Sequence, residues 1–113
     1  LHPRVRRQRQ MCIREDPDSR FNANYWLCTI LIDKELTGFD YEELRVALDT
    51  KGIETRPLWK PMHLQPVFKN NPCYIDGTSE KLFNKGLCIP AGPCVTDEDV
   101  AYIVTEIKNC MKK

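Results

Sequence analysis

The stretch YWLCTILI, Tyr25 to Ile32, is almost entirely apolar and rich in β-branched and aromatic residues. It is too short for a free-standing helix. Its composition predicts a strand covered on both faces. Alternation places Trp26, Cys28, Ile30 and Ile32 on one face and Tyr25, Leu27, Thr29 and Leu31 on the other.

Downstream, helical signals replace strand signals. After a turn around Gly38, Asp40 followed by Glu43 has the spacing of a capping box, with Tyr41, Leu44, Ala47 and Leu48 on one stripe. Lys51 and Gly52 close that helix, the lysine at its negative end and the glycine free to turn left-handed. IETR, residues 53–56, reads as a second short strand. SEKLFNKG, residues 79–86, repeats the Lys-Gly ending, with Leu82 and Phe83 as its apolar side. LCIP, residues 87–90, is a third strand stopped by Pro90. Thr96 with Asp99 opens the last helix, whose stripe is Val100, Ile103, Val104, Ile107 and Met111. The order β-α-β-loop-α-β-α predicts an α+β fold: a small, mostly antiparallel sheet with helices packed on one face.

Upstream, EDPDSRFNAN, residues 15–24, reads as a loop. Residues 5–13 put Val5, Cys12 and Ile13 on one helical face among Arg4, Arg6, Arg7 and Arg9. That basic run reads as a solvated helix face continuing from a preceding segment. The chain starts at Leu1 inside this pattern, and we read it as a piece of a longer protein.

The 113 residues fit one domain. A net charge of +1 argues against a dedicated nucleic-acid binder and gives no pull towards a membrane. No apolar run is long enough to span a bilayer, and no signal peptide is visible. The six cysteines include no C-x-x-C pair, and His63 has no cysteine nearby, so no metal site is expected. Several cysteines sit in apolar patterns like small core residues, and reduced thiols in a cytoplasmic protein are the expectation.

Between the second strand and the helix at 79–86 lies TRPLWKPMHLQPVF, Thr55 to Phe68. Pro57, Pro61 and Pro66 fix their own φ and bias Arg56, Lys60 and Gln65 to extended geometry. The expected result is a stiff loop without hydrogen-bonded structure, which lowers the entropic cost of presenting polar groups. No Asp or Glu occurs from Thr55 to Ile75, so Arg56, Lys60, Lys69 and His63 are expected to lack a local acid and to attract anions. Trp59, Met62, Leu64 and Phe68 either lock the loop onto the sheet or, for Trp59 and Phe68, wall a ring-shaped ligand or a partner. No catalytic set is complete. A Gly-rich phosphate loop, a G-x-S-x-G elbow and H-E-x-x-H are all missing, and the acids Asp97, Glu98 and Asp99 suit a helix start.

NYWLCTILID, GIETRPLWKPMHLQPVF, SEKLFNKGLCIPAG and VTDEDVAYIV, in this order, resemble the carboxy-terminal domain of the DegT/DnrJ/EryC1/StrS aminotransferases. The resemblance implies the small domain of the aspartate-aminotransferase fold over residues 24–113. Residues 1–23 would then be a linker and connecting helix from the large domain. It implies a pyridoxal-phosphate enzyme that moves an amino group, usually from glutamate, to a nucleotide-diphosphate keto sugar for surface polysaccharides or glycans. The cofactor's lysine and the aspartate at its pyridine nitrogen belong to the large domain in this family. This chain alone is therefore expected to bind no cofactor, to supply no catalytic residue and to turn nothing over. The small domain would close over the cleft of a cytoplasmic homodimer. Arg56, Trp59, His63 and Gln65 are the substrate-side candidates, with Asn24 and Tyr25 behind them. Two alternatives stay open. One is a sugar dehydratase of the same family with histidine in place of the lysine. The other is a non-catalytic interaction module using Trp59 and Phe68.

Overall fold

A computed structural model of the chain describes Arg20 and residues 26–111. The predicted helix over 5–13 and most of the loop over 15–24 lie outside these residues. The strands are β1 (Cys28–Leu31), β2 (Arg56–Pro57) and β3 (Gly86–Ile89). The helices are α1 (Lys34–Thr37), α2 (Tyr41–Asp49), α3 (Thr78–Lys85) and α4 (Asp97–Met111). The sheet runs β1-β3-β2 and both pairings are antiparallel. This is the α+β architecture expected from the sequence, with α1 added where a turn was predicted.

The last strand in the chain is the central one. Ile30 stands opposite Leu87, and Leu31 opposite Gly86. On the other side Arg56 pairs with Cys88 and Pro57 with Leu87. A proline is tolerated in β2 because this is an edge strand. The second strand is therefore shifted from 53–56 towards the proline, and Ile53 instead turns inward as a core residue, 5% exposed.

Ile30 and Leu87 face the helices. They join Ile32, Phe39, Leu44, Leu48, Ile53, Ile103 and Ile107 in one buried cluster, with α2 and α4 as the covering layer. Leu44, Leu48 and Leu87 are fully enclosed. Burial of such a side chain contributes about 1.5–3 kcal/mol. The capping signals act as expected. The Glu43 backbone N–H donates to Asp40 Oδ1 at 2.9 Å, and the Asp40 N–H donates to Glu43 Oε2 at 2.8 Å. At α4 the Thr96 N–H donates to Asp99 Oδ2 at 2.9 Å, and the Asp99 N–H returns a bond to Thr96 Oγ1 at 3.2 Å.

Several expectations need correction. The cover of β1 is set by position and not by face: Ile30 and Ile32 are buried and Leu31 half-buried, but Trp26 (71%) and Cys28 on the face of Ile30, and Leu27 (38%) and Thr29 on the other, are exposed. The elements that cover Ile30 and Ile32 do not reach the start of the strand. On α4 only Ile103 and Ile107 of the stripe meet the core, while Val100, Val104 and Met111 stay 41–48% exposed. The contact with α2 is narrower than the apolar stripe. Leu82 of α3 is 42% exposed, and no α3 residue is buried. Of the five described cysteines, all unbridged, Cys88 is buried and Cys110 half-buried, whereas Cys28, Cys73 and Cys94 are exposed.

The two Lys-Gly endings also differ. Gly52 is left-handed, with φ 74°, as a helix stop requires. Gly86 is extended, with φ −91° and ψ 145°, and starts β3. Its lack of a side chain has another use. A Cβ at Gly86 would collide with Leu58 Cδ1, would stand 2.5 Å from Leu58 Cγ and 2.8 Å from the Leu82 carbonyl oxygen. Alternation puts this direction on the sheet face opposite the helices. Leu58 of the proline loop therefore rests on the bare backbone of the central strand.

Two outcomes follow. Gly86→Ala should destabilise the chain by about 1–3 kcal/mol through overpacking. Adding Leu58→Ala should recover part of that loss, giving a non-additive urea-unfolding cycle. A cycle that is additive within error would refute the contact. Separately, the Glu43 N–H and then Lys34 hold the Asp40 carboxyl below its ordinary range, and the Thr96 N–H does the same for Asp99. Both groups have folded-state values below their unfolded ones. Their stabilisation is complete above the ordinary aspartate range and disappears as pH falls through the lowered values. The urea midpoint should drop on acidification below about pH 4, and Asp40→Asn, which keeps the cap, should flatten part of that fall.

Candidate functional site

The proline loop forms the layer on the free sheet face. Pro61 and Leu58 point inward, with Phe68 partly buried, while Trp59 (66%), Met62 (60%) and Val67 (74%) point out. The loop is not free of hydrogen-bonded structure, as had been expected. It holds two consecutive 3-10 turns, Met62–Leu64 and Pro66–Phe68. The Leu64 N–H donates to the Pro61 carbonyl at 3.0 Å and the Phe68 N–H to the Gln65 carbonyl at 3.0 Å. Pro61 and Pro66 stand where a turn begins, so their missing N–H groups cost it nothing. Gln65, before Pro66, is extended at φ −74° and ψ 136°, which separates the turns. Its side-chain Nε2 donates to the Lys60 carbonyl at 3.2 Å and approaches Met62 Sδ at 3.5 Å. Gln65 thus braces the loop from within.

The acid-free reading of the loop is corrected by neighbours outside it. Arg56 is 79% exposed at its side chain, and its Nη2 and Nε donate to Glu54 Oε1 at 2.7 and 3.0 Å. Residues two apart on an extended strand share a face, so Glu54 lies beside Arg56. Arg56 lines an open groove with Arg45, itself paired to Glu42 at 2.6 Å, and with Asp49. An exposed pair is worth only about 0–1 kcal/mol. Glu54 therefore orients the guanidinium without removing it from competition by a stronger anion.

His63 also meets an acid. Its side chain is 13% exposed and its Nε2 lies 3.7 Å from Glu80 Oε2 of α3. That nitrogen is shut off from solvent and makes no hydrogen bond. The ring sits in a cleft between Met62 and Phe68 on one side and the segment 71–75 on the other. Trp59 leans against Trp26 with centroids 6.2 Å apart and rings inclined at 48°. Arg56, Trp59, His63 and Gln65 therefore belong to one loop system but face different ways: Arg56 the α2 groove, His63 the α3 cleft, Trp59 solvent, Gln65 the loop interior. Asn24 and Tyr25 lie outside the described residues.

Sequence reasoning did not single out Glu54, Glu80 or Trp26 for this region. Glu54 was legible, being two residues from Arg56 on a predicted strand. Glu80 and Trp26 are brought in by tertiary packing and left no local signal. Among the described residues no group of three His, Cys, Asp or Glu side chains is placed to hold a metal ion.

The DegT/DnrJ/EryC1/StrS aminotransferase family profile matches residues 6–108. EpsN of Bacillus subtilis (strain 168), named as a candidate pyridoxal phosphate-dependent aminotransferase, is 34% identical over 86 residues, covering 73% of this chain and 21% of that protein. The GDP-perosamine synthase of Escherichia coli O157:H7 is 35% identical over 83 residues, covering 74% of this chain and 22% of its own. The crystal structure of DesI, solved with its TDP-sugar product, superposes with a TM-score of 0.67 at 22% identity over 77% of this chain and 22% of DesI. That superposition shows the shared fold. The chain spans about a fifth of the length of these relatives. With nearly its whole length inside the profile and the expected sheet, caps and proline loop in place, the chain belongs to the DegT/DnrJ/EryC1/StrS aminotransferase family.

Proposed function

We propose that the chain is the carboxy-terminal small domain, residues 24–113, of a sugar aminotransferase. The parent enzyme would transfer an amino group from glutamate to a nucleotide-diphosphate keto sugar used for surface polysaccharide or glycan synthesis. The kinship with a GDP-perosamine synthase supports this reading. In this reading residues 1–23 connect to the large domain, the working unit is a cytoplasmic homodimer, and the proline loop borders the substrate cleft. The observation that carries the proposal is the seating of that loop. Leu58 on Gly86 and two 3-10 turns fix a rim on which the Arg56 guanidinium stays 79% exposed beside an open groove.

The family is pyridoxal-phosphate-dependent. When bound, that cofactor supplies the carrier for the amino group. The described residues do not fit it. Holding it covalently takes a lysine enclosed in a pocket, and every described lysine is exposed. Lys34 and Lys85 are in addition paired with Asp40 and Asp33 at 3.1 Å. No chemical step is therefore assigned to these residues. Their part is to bind and orient. Arg56 offers a planar fork to a phosphate or carboxylate, and Glu54 keeps that fork in register. Among the described residues no helix is long and apolar enough to cross a membrane.

The test uses the complete enzyme loaded with cofactor, glutamate and a nucleotide-linked keto sugar. Equimolar 2-oxoglutarate and amino sugar are expected. Loss of water from the sugar without consumption of glutamate would overturn the reading in favour of a dehydratase. Arg56→Ala should raise KM for the nucleotide sugar roughly 10-fold or more, as loss of a charge-assisted hydrogen bond implies, with kcat much less affected. An unchanged KM would remove Arg56 from the substrate rim.

A further inference from the structure

Helix α4 carries more apolar surface than the core uses. Ile103 and Ile107 are buried. Tyr102 and Glu106 lie on the flank turned to α2, where the Tyr102 hydroxyl donates to the Lys51 carbonyl at 3.2 Å and Glu106 Oε2 stands 3.9 Å from Lys51 Nζ. At the helical period Val100, Val104 and Met111 fall together on the opposite flank, and all three are exposed. Asp97 prolongs that flank by one turn at its start, and Lys108 stands beside Met111 at its far end. Asp97 and its neighbour Glu98 are exposed and form no ion pair among the described residues. The flank is thus an apolar stripe with unmatched negative charge at the beginning of the helix.

One segment of this chain has the complementary pattern. The sequence predicts a helix over residues 5–13, outside the described residues, with Val5, Cys12 and Ile13 on one face. Around that face stand Arg4, Arg6, Arg7, Arg9 and Arg14, with no acid among residues 4–14. As a helix, residues 5–13 measure about 14 Å, and the stripe from Val100 to Met111 about 17 Å. So short a helix is marginal in water unless it packs on something. The topology brings the two together. β1 begins opposite Ile89, and residues 90–96 lead from Ile89 to α4, so the incoming chain meets the sheet at the end from which α4 departs. Residues 14–25 can span up to about 40 Å, enough to reach any part of the stripe. The other exposed apolar surface is the outer side of the proline loop, with Trp59, Met62 and Val67. It carries Arg56, Lys60 and Lys69 and no acid from Thr55 to Ile75, so it repels a segment bearing five arginines.

We propose that residues 5–13 form a helix seated on the outer flank of α4, its apolar face on Val100, Val104 and Met111 and its arginines beside Asp97 and Glu98. This goes beyond the connecting role given to residues 1–23. The segment is anchored on the domain that it leads into, and α4 becomes the middle member of a three-helix layer over the sheet, between α2 and the incoming helix. The inference does not depend on which reaction the parent enzyme performs.

The test is a set of double-mutant cycles on the 113-residue chain, read by urea unfolding. Ile13→Ala is combined in turn with Val100→Ala, Val104→Ala and Val67→Ala. At least one of the two α4 pairs should show a coupling of about 2- to 100-fold in the unfolding constant, as residues in contact do. The pair with Val67, on the proline loop, should be additive. Additive behaviour in both α4 pairs would overturn the proposal, and so would a coupling to Val67 larger than either. The unfolding midpoint should also be independent of protein concentration. A midpoint that rises with concentration and loses that dependence in Val104→Asp would show a second copy on the stripe in place of residues 5–13, which overturns the proposal as well.

Discussion

The close approach of Leu58 to Gly86 is the constraint on which the rest of this domain depends. A central strand normally presents side chains on both faces. Here β3 opens with a residue that has none, and an adjacent loop fills the space. Any other residue at Gly86 would meet the Leu58 side chain and the Leu82 carbonyl. One missing methyl group thus lets a proline-rich segment lie flat on a sheet. The sheet in turn is supported from behind by Leu87, Leu44 and Leu48, so the loop rests on the most densely enclosed part of the core.

Much of this was legible beforehand. Both capping boxes were visible as residue pairs three positions apart, because capping is a local geometry with a local chemical signature. The third strand and the buried positions of α2 followed from pattern and punctuation. The extent of cover did not. Pattern shows that a residue is apolar but not whether a partner reaches it, so Cys28 and Val104 read as buried and are exposed. The Lys-Gly pair at 85–86 looked like the one at 51–52. One glycine serves a positive φ and the other serves space, and only the three-dimensional neighbours tell them apart.

The candidate site shows the same division. The three prolines were expected to leave a segment without hydrogen-bonded structure, but their effect was to organise turns, not to abolish hydrogen bonding. The absence of acids within the loop was real in sequence and incomplete in space. Glu54 and Glu80 reach Arg56 and His63 from a strand and from a helix. The charged and polar groups of this rim are therefore unevenly matched: Glu54 orients Arg56, Glu80 faces His63, and Lys60 has no ion pair among the described residues.

The strand order has a consequence for biosynthesis. Both edge strands are made before the central one, and Cys28 must wait for Ile89 to be synthesised before it has its partner. Helix α2 can form early from neighbouring residues, but the sheet is assembled only when β3 leaves the ribosome. Until then Trp26, Leu27 and the proline segment have no platform. Contacts this distant in sequence form slowly and leave apolar strands open in the meantime. The growing chain is thus most vulnerable to aggregation in the interval before β3 is made.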